Sequence, residues 1–365
     1  MIFTRAEIDI LLLSAWCKDL PVDESEMLPP DTVRLMCTLG LLRQSRCKLS
    51  YRTTPTGYTL LQKADYSYKP DKQYLGYGPA LLRRIHTAEI TCFFWRLGAE
   101  VFLQNPGAKN PTLSFLPSFV LRRKTYANIL GGTRLAGFLY AGKTAFIPYY
   151  VTPESEGLYA EVERRTFSAQ SLLCGKQPFV LYTGNGNTED ILRAVTAQRC
   201  KKEKSTTDSY MTAMEKLGCP VAVLPLNENG LRQLRILSVP DYRERLIKRL
   251  LGKDYLPPEN TQSDGRHKGT NENYLIGFDC NLIRFEKAIQ TGRTTHIFLL
   301  SNQVAAVQKY LLGRNAVLHS VEAALAEDIL SIPHTLPEPD NTPFQTGKGD
   351  YLYAPSFRPA AKAGG

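Results

Sequence analysis

Apolar residues in the first third of the chain recur at helical spacing and are broken by regularly placed turn residues. Thr4 precedes Ile8–Leu13, a run interrupted by Asp9, and Glu7 follows Thr4 by three. That capping-box pair predicts a helix from Thr4 through Leu13. Pro29, Pro30 and Asp31 open a second helical run, Thr32–Leu39, and Gly40 stops it. Leu35, Leu39 and Leu42 are expected to form its apolar face and the entry into the hairpin. Cys47–Thr53 is strand-like at Leu49 and Tyr51, Thr54–Gly57 reads as a turn, and Tyr58–Ala64 resumes helix. Asp65–Gly78 has the Tyr, Lys, Gly and Pro content of a linker. Leu81, Ile85, Ala88, Cys92 and Trp95 then alternate by four and three, which predicts a long helix, Pro79–Leu97. Its second half, Ile90–Trp95, is apolar nearly all round and is expected to be buried.

Beyond Leu113 the pattern shortens. Strands are predicted at Ser118–Leu121, Gly137–Tyr140, Ala145–Val151, Pro178–Tyr182, Val221–Pro225, Leu231–Ser238 and Thr295–Leu300. Helices are predicted at Leu158–Cys174, Thr188–Arg199, Ser209–Leu217, Tyr242–Leu251 and Val304–Leu311. Strands alternating with helices give an α/β layer, so the whole chain reads as α+β and α/β in class. Gly252–Asn273 is polar and reads as an exposed, mobile insertion, and the chain from Pro333 as a flexible tail. The expected boundaries are 1–66, 67–111 for linker and long helix, 112–330 with the insertion at 252–273, and 331–365.

Helices followed by a short hairpin and another helix are the order of a winged helix. The hairpin carries Arg43, Arg46 and Lys48, with Arg52 on its return strand. Cations on a short exposed ribbon suit phosphate contacts. The helix ahead of it offers Thr32, Arg34 and Thr38 as polar recognition positions, and one arginine reads one guanine at most. The alternative is a winged helix used for protein contact.

Charge adds to this picture. The 365 residues hold 45 Lys+Arg against 35 Asp+Glu, a formal net charge of +10. Such an excess attracts a polyanion at long range. Arg122, Arg123 and Lys124, and Arg245 with Arg249 on one helix face, are candidates to extend a DNA track. The bland alternative is a solvated face balanced by neighbours such as Glu244. The apolar share of 43% excludes whole-chain disorder. No run approaches the roughly 20 apolar residues of a membrane helix, and no secretion signal is recognisable, so the expectation is a cytoplasmic protein without a membrane partner. The 8 cysteines include no C-x-x-C pair and read as reduced thiols rather than zinc ligands.

Tyr51-Arg52-Thr53-Thr54-Pro55-Thr56-Gly57-Tyr58 resembles the strand-to-helix corner of many winged helices. With the long helix carrying Arg84-Ile85-His86 and the α/β region beyond, the layout is similar to the replication-relaxation group of plasmids and conjugative elements. That resemblance implies a winged helix followed by a domain like the PD-(D/E)XK nuclease core. It also implies double-stranded DNA as partner, and other replication or transfer proteins of a mobile element.

A working nuclease core needs a carboxylate at a strand end and an acid-x-Lys set on the next strand, to hold Mg²⁺ and position water. The chain has no Asp or Glu between Glu100 and Glu154, where the first ligand is expected. Glu161 and Glu163 follow, in an E-x-E-R run that reads as helix, where residues two apart do not face each other. The expectation is a degenerate, non-catalytic nuclease-like domain with no cofactor or metal. The alternatives are a Mg²⁺ nuclease using Glu161 or Glu163, and a protein-contact scaffold. His86 and Glu89 can meet on one helix face as a polar or catalytic pair. Gly184-Asn185-Gly186-Asn187-Thr188 reads as a turn with Thr188 as helix cap; Glu189 opposes a phosphate there.

Overall fold

The computed structural model describes residues 1–22, 27–66, 78–103, 113–122, 126–154, 158–197, 199–201, 205–207 and 209–355. The chain forms two compact units, Met1–Cys92 with Pro337–Gly365, and Phe93–Leu336. It is mixed α and β throughout.

The first unit opens with α1 (Arg5–Cys17), capped by Thr4 and Glu7 as the capping box requires. Its next donors are taken by distant carbonyls: Arg5 N–H donates to Thr342 at 2.8 Å and Ala6 N–H to Asp340 at 2.7 Å. The helix runs four residues past the expected Leu13 and is buried on nearly every side. β1 (Leu20–Pro21), α2 (Pro30–Thr38), β2 (Leu42–Gln44), β3 (Ser50–Thr53) and α3 (Pro55–Lys63) follow. The strands form an antiparallel sheet in the order β1-β3-β2, with Leu42 opposite Thr53 and Arg43 opposite Arg52. Gly40 takes φ +68° and ends α2, as expected.

Two readings change here. The buried face of α2 is Val33 and Met36, while Leu35 and Leu39 are half-buried. Thr54–Gly57 is not a free turn but the first turn of α3. Thr54 caps it by accepting from Gly57 N–H, and Pro55 begins it. A Cβ at Gly57 would lie 2.5 Å from the Leu41 carbonyl, so only glycine lets α3 approach the hairpin this closely.

Next comes α4 (Pro79–Arg96), whose predicted stripe is buried at Leu81, Ile85, Ala88 and Cys92. The segment expected to be a tail returns to the first unit. Phe3 N–H donates to the Leu352 carbonyl at 2.9 Å, and Phe344 N–H to Phe3 at 2.8 Å. Phe344 and Leu352 are buried.

The second unit contains β4 (Leu113–Pro117), α5 (Ser118–Leu121), β5 (Gly137–Ala141), β6 (Thr144–Tyr150), α6 (Ala160–Phe167), α7 (Gln170–Leu173) and β7 (Gln177–Gly184). It continues with α8 (Thr188–Thr196), β8 (Arg199–Lys201), β9 (Ser205–Thr207), α9 (Tyr210–Lys216), β10 (Val221–Pro225), α10 (Glu228–Leu237) and α11 (Tyr242–Leu251). It closes with β11 (Tyr255–Leu256), β12 (Gly265–His267), β13 (Asn273–Ile276), α12 (Leu282–Ile289), β14 (Thr295–Leu300), α13 (Val304–Leu311), β15 (Ala316–Val321) and α14 (Ala323–Leu330).

One sheet has the order β10-β7-β6-β5-β4, parallel from β6 to β10 and antiparallel from β4 to β6. The other has the order β11-β12-β13-β14-β15, with β13, β14 and β15 parallel. Gln233 of α10 connects them. Its side-chain amide donates to Val223 of β10 at 2.9 Å and to Phe278, just past β13, at 2.6 Å.

Ser118–Leu121 and Leu231–Ser238, expected as strands, lie in helices α5 and α10. Leu158–Cys174 divides into α6 and α7. The expected insertion 252–273 builds β11 and β12 at the edge of the second sheet. Its Asp264 accepts from Ile276 N–H at 2.7 Å and pairs with Arg284.

Candidate nucleic-acid interface

The β2–β3 hairpin is shaped by its own polar groups. Ser45 N–H donates to the Ser50 carbonyl at 2.7 Å, and Lys48 N–H to the Ser45 carbonyl at 2.9 Å. Lys48 turns the tip at φ +60°. Arg43, Arg46 and Lys48 are all exposed, and none has an ion-pair partner among the described residues. Leu49 stands 48% exposed beside them.

Arg52 differs. Its Nε donates to Asp19 Oδ1 at 2.7 Å, and Arg84 Nε donates to Asp19 Oδ2 at 3.0 Å. The Ser50 hydroxyl donates to the same carboxylate at 2.9 Å, and Asp19 is fully buried. Arg52 therefore anchors the central strand, and its charge is spent inside the unit. That removes it from the exposed cations of the hairpin and explains how Arg43 and Arg52 stand opposite one another without repelling.

On α2, Arg34 is exposed and pairs with Asp31 at 3.2 Å, Thr32 is half-buried, and the Thr38 hydroxyl donates to the Arg34 carbonyl at 3.0 Å. The hairpin tip also carries an exposed thiol. The Ser45 hydroxyl lies 3.2 Å from Cys47 Sγ, and this hydrogen bond is the main cause that lowers the thiol's pKa.

The proposed track divides. Arg123 and Lys124 lie outside the described residues. Arg122 folds inward instead of facing solvent: its guanidinium donates to the carbonyls of Leu130 at 2.5 Å and Thr133 at 2.9 Å. Arg245 and Arg249 are exposed on α11, and Arg245 makes one long contact, 3.3 Å, to the Ile329 carbonyl.

Glu161 and Glu163 do not converge. Glu161 is exposed and pairs with Arg164 at 3.0 Å. Glu163 is buried, accepting from the Tyr149 hydroxyl at 2.6 Å and Arg134 N–H at 3.1 Å. Burial pushes its carboxyl up, against those two hydrogen bonds. Among the described residues no three His, Cys, Asp or Glu side chains gather as metal ligands. No described helix is long and apolar enough to cross a membrane.

Sequence reading missed a pair on the second sheet. His296 Nδ1 and His319 Nε2 lie 2.8 Å apart, and Glu272 Oε2 is 3.2 Å from His296 Nε2. The sequence placed His296 on a predicted strand but predicted none around His319, and it is the parallel pairing of β14 with β15 that brings the two together. No family model, curated protein or solved structure matches the chain.

Proposed function

We propose that the chain is a DNA-binding protein whose first unit is a winged helix, with α2 as recognition helix and β2–β3 as wing. One observation carries this reading: Arg43, Arg46 and Lys48 stand exposed and unpaired on a hairpin whose other cation, Arg52, is tied to buried Asp19. Holding three desolvatable charges at a ribbon tip without carboxylates suits a phosphate backbone. The element order around the β1-β3-β2 sheet supports it. In this reading the second unit is a nuclease-like domain that adds affinity or recruits partners, and does not cut. The reading extends, through the resemblance of layout, to replication or transfer of a bacterial mobile element, in the cytoplasm, alongside that element's other proteins.

The test is duplex binding measured by anisotropy across a salt series. Replacing Arg46 by Ala and Lys48 by Asn, which tolerates positive φ, removes two phosphate contacts. Binding should weaken on all sequences, and the log–log salt slope should flatten by roughly two units, at about 0.9 per contact. Unchanged affinity and slope would remove the wing from the interface. Incubation of supercoiled DNA with the protein in Mg²⁺ or Mn²⁺ should leave it intact. Nicking that disappears in Glu163→Gln would turn the reading into a nuclease.

A further inference from the structure

The second unit has an open cleft of about 640 Å³, within the size range of small-ligand sites. It is lined by Phe179 of β7, by α11 with the residue before it, and by the Tyr255–Asp264 segment that the sequence presents as a plain insertion. Phe179, Tyr242, Tyr255 and Pro257 give it an aromatic and apolar wall.

Its charges are already matched. Arg243 is bound to buried Asp279, Arg284 reaches both Asp279 and Asp264, and Lys248 is held by Glu244. No lining cation is left to pair with a phosphate or a carboxylate. A cationic ligand is disfavoured too, because Lys248 Nζ already stands 5.8 Å from the centre of the Tyr255 ring.

Two polar groups are unspent. The Ser263 hydroxyl is buried, 6% exposed as a residue, and has no hydrogen-bond partner. Leaving a buried hydroxyl without a hydrogen bond is costly, and most in folded proteins are answered. Asp241, an exposed residue of the lining, has no ion pair or side-chain hydrogen bond among the described residues. The site thus offers an aromatic wall, one free carboxylate acceptor and one free hydroxyl, and asks for a neutral, flat ligand that donates hydrogen bonds at one edge.

We propose that this cleft binds a nucleobase bearing an exocyclic amino group: cytosine, adenine or guanine. The ring lies against the aromatic wall, as bases do on protein aromatics. The amino edge donates to Asp241, and the Ser263 hydroxyl answers a ring nitrogen or carbonyl. Uracil and thymine lack the amino donor.

The experiment titrates the full-length protein with free nucleosides, read by saturation-transfer NMR and calorimetry. Cytidine, adenosine or guanosine should bind, uridine roughly tenfold more weakly for the lost charged hydrogen bond, and the 5′-monophosphates no more tightly than their nucleosides. Asp241→Asn keeps a residue that accepts its φ of 56° and should also cost roughly tenfold. Tyr255→Leu should abolish the signal while the thermal melt shows a folded chain. Tighter binding of oligo-dC than of cytidine would identify a base within a strand as the source, and equal binding a free nucleoside. No nucleoside binding, equal binding of uridine, binding of N-acetylarginine amide alone, or unchanged affinity in Asp241→Asn would each overturn the proposal. Duplex affinity of Asp241→Asn should equal that of the unmodified chain, so this result and the wing result are read separately.

Discussion

Three titratable side chains of the first unit are shifted, and two of them, both thiols, are shifted in opposite directions. Cys47 is exposed at the hairpin tip, where the Ser45 hydroxyl lowers its pKa. Cys17 is buried and its thiol is pushed up to about 12. The thiolate is the reactive form, so Cys47 should be alkylated well before Cys17, and Ser45→Ala should slow it. Equal labelling rates would contradict the described tip. His86, largely buried on α4, is lowered to about 4 from an ordinary value of 6.5. Its unfolded form therefore binds the proton first. The stability it contributes is full above about pH 6.5 and is lost as pH falls toward 4. Between pH 7.5 and pH 5 that loss is roughly 2 kcal/mol. Acid melts of the first unit should show this slope, and His86→Gln should flatten it.

At the scale of elements, what could be read in the sequence followed local rules. The capping box of α1, the Gly40 stop, and strands such as Val221–Pro225 were visible because each is decided by neighbours in sequence. The misreadings have physical causes. Ser118–Leu121 is aromatic and β-branched, yet Pro117 starts a helical turn there. Leu231, Leu234 and Leu237 lie three apart, a helical interval, and Asn227 caps the helix; the apolar content of the run concealed both. Arg52 was legible as a cation but not as the partner of a buried carboxylate, because Asp19 lies 33 residues away. The cleft escaped for the same reason: Tyr255 and Ser263 fall in a polar stretch, and the opposing Phe179 is far off in sequence. Gly57 falls in the stretch that resembles a winged-helix corner, and its packing against the Leu41 carbonyl explains why a glycine stands there. Gly57→Ala should force α3 off the Leu41 carbonyl and destabilise the first unit by roughly 1–3 kcal/mol. A denaturant midpoint unchanged from the parent would show that the contact relaxes freely.

At the scale of the molecule, the first unit is assembled from both ends of a long chain. No periodicity announces this, because β-bridges between residue 2 and residue 353, or 4 and 343, leave no local trace. The consequence is energetic. The first turn of α1 has donors that Thr4 alone does not satisfy, and the Thr342 and Asp340 carbonyls accept two of them. Phe344 and Leu352 each add a buried side chain worth about 1.5–3 kcal/mol, and the Arg5 guanidinium lies 5.7 Å from the Phe344 ring centre. A chain ending at Leu336 should therefore lose several kcal/mol from the first unit and leave the sheets of the second paired, since the hydrogen bonds named above run from the returning segment to the first unit. Hydrogen exchange distinguishes the two units. The Arg5 and Ala6 amides should change from protected to rapidly exchanging on truncation, the α1 amides should follow, and the β6 and β7 amides should not move. Protection of α1 unchanged by the truncation would mean that its cap and core stand without the returning strand.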